Sequence, residues 1–259
     1  MFKNHYQIQK NNERQFPIVD LTAFSHENVN EAFGLTQDFK NSELLEKWLK
    51  RAKSIEISTE EKAKLTALQD KLLIYGKAWN VQELKERFIS PMTESVNFYD
   101  FEAKYGSFSN RYMETILQNT VVRGKVDWIV ATGQYQPKQP FVFLNTHTYE
   151  NSGGIDPVGQ LIATLYIAKV LCQKPVKPSL FNPRPKIYTN IPLYGMYIIG
   201  SLWYFVRLKG NRYYISPAYD ATYTEELHNI FRMLKAQRLM IHEIVTNTRI
   251  TEQPKSTAI

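Results

Sequence analysis

The sequence predicts an α/β protein built on a mixed sheet flanked by helices. Two observations carry this. Helical periodicity dominates the first third of the chain, and β-branched and aromatic runs with hairpin-like breaks dominate the remainder. A single strongly apolar helix, read from Pro157, falls between strand candidates, as a crossover in a sheet requires. The chain has 259 residues with 43% hydrophobic and 22% charged side chains, which is the composition of a folded protein and not of a disordered one.

The elements follow in order. Asn41 and Ser42 cap the helix SELLEKWLKRAK, in which Leu44, Leu45, Trp48 and Leu49 form one stripe. Ser58 and Glu61 have capping-box spacing and open a second helix with Leu65, Leu68, Leu72 and Leu73 on its apolar face and Gly76 as its stop. A third helix starts at Asn80, with Glu83 three residues on and Leu84, Phe88 and Met92 following; Pro91 predicts a kink or an early end. Gln118–Arg123 and Lys125–Thr132 read as two strands divided by Gly124, and residues 141–149 as a third that turns polar toward its end.

Asp156-Pro157 opens the apolar helix, which runs to about Cys172. Residues 173–192 hold five prolines and form a loop. Strands 193–199, 202–209 and 212–216 make a meander with turns at Gly200-Ser201 and Gly210-Asn211. A last helix spans about Thr224 to Ile241. These readings divide the chain into an N-terminal helical extension (1–78), an α/β core (79–245) and a tail (246–259).

Charge and cysteine usage narrow the function. The formal charge of +7, with a pI near 9.2, is compatible with nucleic acid without requiring it. The single cysteine, Cys172, excludes an intramolecular disulfide and any cysteine-based zinc cluster, and fits a cytoplasmic setting. Met1–Gln15 is polar, without an apolar export segment, and the most apolar stretch, Tyr194–Val206, is too short to span a membrane. GIDPVG has the glycine spacing of a phosphate loop but continues Gln160-Leu161, so the lysine and the magnesium-binding hydroxyl are missing. No GxGxxG, HExxH or GxSxG occurs.

Glu83, Asp127 and the segment Asn145–Glu150 form the constellation with chemical content. Two carboxylates converging on a pocket suit Mg²⁺, which could activate water at a phosphodiester. GKVDWIVATG (124–133), PFVFLNTHTYE (140–150) and DPVGQLIA (156–163), in the order helix–strand–strand–strand–helix–strand, resemble the PD-(D/E)XK nuclease superfamily. The chain is also similar to uncharacterised bacterial proteins with LYGMYIIGSLWYFV-like and YYISPAYDAT-like segments. The resemblance covers roughly residues 56–240 and implies a restriction-endonuclease-like mixed sheet core, with the meander and the N-terminal extension added to it.

That resemblance implies a strand acid, matched by Asp127, a helix glutamate, matched by Glu83, and E-x-K on the next strand. The E-x-K positions fall on Thr146 and Thr148, two neutral hydroxyls. A slip of one residue would place Asn145 and His147 there instead, equally without carboxylate and lysine. The implied protein is therefore a degenerate nuclease that binds nucleic acid (DNA or RNA) or a protein partner with little or no cleavage. It has no cofactor, or Mg²⁺ on Asp127 and Glu83 if it is active. Gln160 and His147 are its candidate substrate-binding residues.

Two alternatives stand beside it. One is an active metal-dependent nuclease whose missing groups migrate in from Glu150, Asp156, Lys138 or Lys169. The other is a structural or assembly protein. Each residue also has a plain structural reading: Glu83 as a capping residue, Asp127 paired with Arg123 or Lys125, His147 packed in its strand, Gln160 capping a loop, and the group Lys174, Lys177, Arg184 and Lys186 as a solvated loop. Tyr213-Tyr214 could stack on bases or fill the core.

Overall fold

The structure is a computed structural model, and it describes residues 16–39, 43–148, 154–173 and 191–250. Its elements are β1 (Ile18–Asp20), α1 (His26–Phe33), β2 (Thr36–Gln37), α2 (Glu43–Lys53), α3 (Thr59–Tyr75), α4 (Val81–Leu84), a π-helical turn (Lys85–Ile89), α5 (Ser90–Val96), β3 (Tyr105–Leu117), β4 (Thr120–Thr132), β5 (Pro140–His147), α6 (Pro157–Gln173), β6 (Leu193–Ile199), β7 (Leu202–Lys209), β8 (Arg212–Ile215), β9 (Tyr219–Asp220) and α7 (Thr224–Ile250).

The strands form one sheet in the order β1-β4-β5-β6-β7-β8-β2, with β3 on β4 and β9 on β7. It is a mixed sheet: β5 and β6 run parallel across the α6 crossover, β1 is parallel to β4 and β2 to β8, and the remaining pairs are antiparallel. The fold is therefore α/β with helices on both faces. The N-terminal residues read as a helical extension also supply strands, since β1 and β2 belong to this sheet.

One core lies between the sheet and α2, α3, α5 and α7, and includes Trp48, Phe88, Trp203, Phe205 and Phe231. Trp48 sets this layer: its indole N–H donates to the Met233 carbonyl at 2.7 Å, and its ring meets Tyr194 and Phe205 edge-on. Gln69 of α3 donates to the Ala221 carbonyl and accepts from the Thr224 hydroxyl, so it ties α3 to the start of α7. The second core lies under α6, where Leu161, Ile162, Leu165 and Ile167 are fully buried. α6 is apolar all round because α1 covers its outer side, with Phe33 stacked on Tyr166 at 4.4 Å.

Both capping boxes form as the spacing predicts, Ser58 with Glu61 and Asn80 with Glu83. The kink expected at Pro91 takes another form. The Ser90 N–H bonds the Lys85 carbonyl five residues back, so the helix widens ahead of a proline that can neither donate nor tolerate a tight preceding turn, and then continues to Val96. The expected tail from residue 246 is also corrected, because α7 extends to Ile250.

Gly124 does not divide two strands, and β4 runs unbroken through it. The glycine serves close packing instead: a Cβ there would lie 2.7 Å from the Cβ of Leu21. Gly124→Ala is expected to destabilise the protein by about 1–3 kcal/mol through overpacking, read as a lower urea midpoint with an unchanged slope. β3, which pattern reading missed, joins β4 through Gln118-Asn119. Both residues have positive φ (46° and 66°), as a type I′ hairpin requires. The basic group at Lys174, Lys177, Arg184 and Lys186 lies outside the described residues, as does Glu150.

Candidate functional site

The ladder between β4 and β5 pairs Trp128 with Leu144 and stops there on the Asp127 side. Asp127 enters where the strands part. Its Oδ2 accepts the Thr146 backbone N–H at 2.8 Å, so a side-chain carboxylate stands in for the missing ladder acceptor. Its Oδ1 lies 2.6 Å from Lys85 Nζ, and both side chains are about three-quarters buried (22% and 23% exposed). Lys85 stands at the junction of α4 and the π turn, and from there its ammonium reaches the sheet. The strand acid thus has a cation partner, but neither Arg123 nor Lys125, the partners suggested by proximity in sequence.

Glu83 is occupied elsewhere. It accepts the Asn80 N–H at 3.1 Å and pairs with Arg87 at 3.0 Å, one helical turn on. Its capping reading is therefore realised in the geometry. The carboxylates of Glu83 and Asp127 share no partner.

Thr146 is 5% exposed and its hydroxyl has no partner. Thr148 is half-buried and lines a cavity of about 570 Å³. Asn145 and His147 are buried, and His147 stands close enough to Gln160 and Asp127 to feel both. Both side-chain polar atoms of Asn145, His147 Nε2 and Gln160 Oε1 lack partners, so unpaired polar groups concentrate around the last turn of β5.

Burial holds the His147 imidazole below its ordinary pKa, and the nearby Asp127 carboxylate opposes this only in part. The folded protein therefore binds fewer protons here than the unfolded chain. Stability contributed by the neutral ring is present above the unfolded value near 6.5 and is lost as pH falls toward the folded one. Wild-type urea midpoints should drop between pH 7.5 and 5 more steeply than those of His147→Gln.

The residues present do not fit the Mg²⁺ that the nuclease resemblance implies. Mg²⁺ wants several hard oxygen donors. Here both Asp127 oxygens are engaged, one of them by an ammonium, and Thr146 and Thr148 bring no charge. Among the described residues no three His, Cys, Asp or Glu side chains converge.

The migrated groups foreseen from sequence serve other ends. Asp156 caps α6 through the N–H groups of Val158 and Gly159 and also accepts the His26 N–H. Lys169 bonds the Asn211 side chain at 2.5 Å. Lys138 sits in the loop before β5, at the opposite end of that strand from Thr146. Tyr213 is fully buried, with its hydroxyl donating to Asn30, so it is a core residue and not a stacking platform.

Lys85 is the site residue that sequence reading missed. Followed by Glu86 and Arg87, it looks like one more charge on a solvated helix face, and only its contact with Asp127 sets it apart.

No family model matches the sequence, and no curated protein matches it. No helix among the described residues is long and apolar enough to cross a membrane.

Proposed function

We propose that this chain is a nuclease-like binding protein that engages nucleic acid and does not cut it. The run α5, β3, β4, β5, α6, β6 has the helix–strand–strand–strand–helix–strand order that the PD-(D/E)XK resemblance implies, with the acid on its second strand and the two threonines at the end of its third. The observation that carries the reading is the Lys85–Asp127 pair. An internal ammonium neutralises the one carboxylate that a catalytic metal would need. Losing a metal ligand and the general acid/base together removes far more than the roughly 10²–10⁴-fold supplied by either proton-transfer group alone.

Binding to nucleic acid rests on the β3–β4 hairpin. Tyr112 is 57% exposed and pairs across the hairpin with exposed Lys125. Arg123, Lys125 and Asp127 occupy alternate positions of β4. An exposed ring among cations offers stacking and phosphate contacts without base readout. Cys172 is half-buried, and burial pushes its thiol up to about 11, so it is held as the thiol at neutral pH.

The test incubates the protein with labelled single- and double-stranded DNA and RNA, with Mg²⁺ or Mn²⁺. The expected result is intact substrate, binding that weakens as salt rises, and a loss of about tenfold or more in Tyr112→Ala. Cleavage abolished by Asp127→Ala would replace this reading with an active enzyme that uses Lys85 as its charged group. Absence of both binding and cleavage would favour a protein partner.

A further inference from the structure

Two loops meet at the start of β3, and both carry rings far out in solvent. Residues 98–104 lead into β3, and residues 133–139 lead from β4 to β5. The Gly133 N–H donates to the Lys104 carbonyl at 2.9 Å and holds the loops together. Phe101 on the first is 87% exposed, and Tyr135 on the second is 90% exposed. Tyr99 stands beside them on a built seat. Its hydroxyl oxygen accepts the Ser107 hydroxyl at 2.9 Å, and its ring lies against Gly106, where a Cβ would come 2.9 Å from ring carbon Cδ1. The Tyr99 side chain is exposed even so. Three aromatic side chains open to solvent at one end of the molecule mark a contact surface, since none of them buries its ring in the core.

We infer that the nucleic acid this chain binds is single-stranded, that unpaired bases stack on Tyr99, Phe101 and Tyr135, and that the strand continues along the edge of β3 to Tyr112 and Lys125. This rests on the nucleic-acid reading above and narrows it. A base in a duplex is stacked between its neighbours and shows a protein only its edges, whereas an unpaired base offers its whole face to a ring. Such stacking tolerates any sequence, because every base has that face. β3 supplies the path. Beyond the Asp100 bridge at Tyr105 it pairs only with β4 among the described residues, so its outer edge borders no described strand. Tyr105 to Tyr112 spans about 23 Å at the usual rise of a strand, a length that takes several nucleotides.

The two ends of this path contribute different terms. Lys104 and Lys138 are exposed in the loops, but so is Glu102, and the Asp100 carboxylate lies there too, 2.9 Å from His242 Nδ1. Among the described residues the loops therefore add stacking and little net charge. Phosphate attraction belongs to the hairpin, where Arg111 and Lys125 are exposed beside one exposed acid, Glu114, and Arg123 adds a third cation.

The test is fluorescence anisotropy on the full chain with labelled oligouridylate in deoxyribose and ribose forms, ~4 and ~12 nucleotides long, and with a duplex of ~12 base pairs. The longer strand should bind at least about tenfold tighter than either the duplex or the shorter strand. Phe101→Ala with Tyr135→Ala should weaken the longer strand by about tenfold or more, leave duplex binding within about threefold, and leave the salt dependence of the single-strand complex unchanged. Lys125→Ala should flatten that salt dependence instead. Phe101→Trp with Tyr135→Trp should bind the longer strand at least as well as the wild type. Both positions are exposed, so neither pair of substitutions disturbs the core. Tighter binding of the ribose form assigns RNA, and tighter binding of the deoxyribose form assigns DNA. The inference is overturned if the duplex binds as tightly as the longer strand, or if the alanine pair leaves single-strand binding intact. In either case a loss in Tyr112→Ala keeps the broader nucleic-acid reading, whereas no binding of any strand or duplex overturns both.

Discussion

Lys85→Met should lower the unfolding free energy by about 2–3 kcal/mol, a large effect for one residue on a helix surface. The cause lies in what remains behind. Asp127 would keep the Thr146 N–H but lose the ammonium 2.6 Å away, in a position less than a quarter exposed. Removing one member of a fully buried pair costs roughly 3–5 kcal/mol, and the residual exposure on both sides brings this one lower. Adding Asp127→Asn should restore most of the loss, since the amide oxygen still accepts from Thr146 and no charge is stranded. A double-mutant cycle in urea at neutral pH should give a coupling of about 1–2 kcal/mol. A single-mutant cost within 0.5 kcal/mol of zero would mean that the ammonium plays no part in holding the helix to the strands.

The second large effect is a gain. Thr146→Glu with Thr148→Lys restores the charges that the nuclease resemblance leads one to expect, but the resident ammonium would compete with any metal. The triple variant with Lys85→Ala should therefore change from no detectable Mn²⁺ uptake to saturable binding, seen by calorimetry, and the double variant should bind more weakly. With the Lys85 ammonium gone, the introduced carboxylate and Asp127 repel, so the triple variant should also melt at a higher temperature with Mn²⁺ than without it. If folded triple variant takes up no Mn²⁺, Thr146 does not occupy the metal-facing position and the alignment to the nuclease site fails.

Legibility in the sequence tracked how local each signal was. Ser58–Glu61 and Asn80–Glu83 are closed by their own residues, so spacing alone located both helix starts and gave Glu83 its structural role. The meander was readable because Gly200 and Gly210 supply the positive φ that its turns need. β3 was not, since its middle, Ser-Asn-Arg-Tyr, is exposed and carries no clean alternation, and its turn uses Gln118-Asn119 without a glycine. β1 and β2 are three and two residues long and exist only through partners more than a hundred positions away. At the site, adjacent strands bring the Asp127 carboxylate to the Thr146 backbone N–H, a neighbourhood that strand order alone suggests. Lys85 was out of reach, because its partner Asp127 lies forty-two positions away on a strand and nothing in the local charge pattern Lys85-Glu86-Arg87 sets it apart.

The placement of β1 and β2 has a temporal consequence. Ile18 pairs with Val121, and Thr36 pairs with Arg212, near the other end of the sheet. A ribosome delivers this early stretch first, yet its second docking partner is among the last strands to emerge. Until then His26 cannot reach Tyr213. Residues 26–37 complete their docking only after β8 is made, and until then the apolar helix α6 that α1 covers stays more open to chaperones and to self-association.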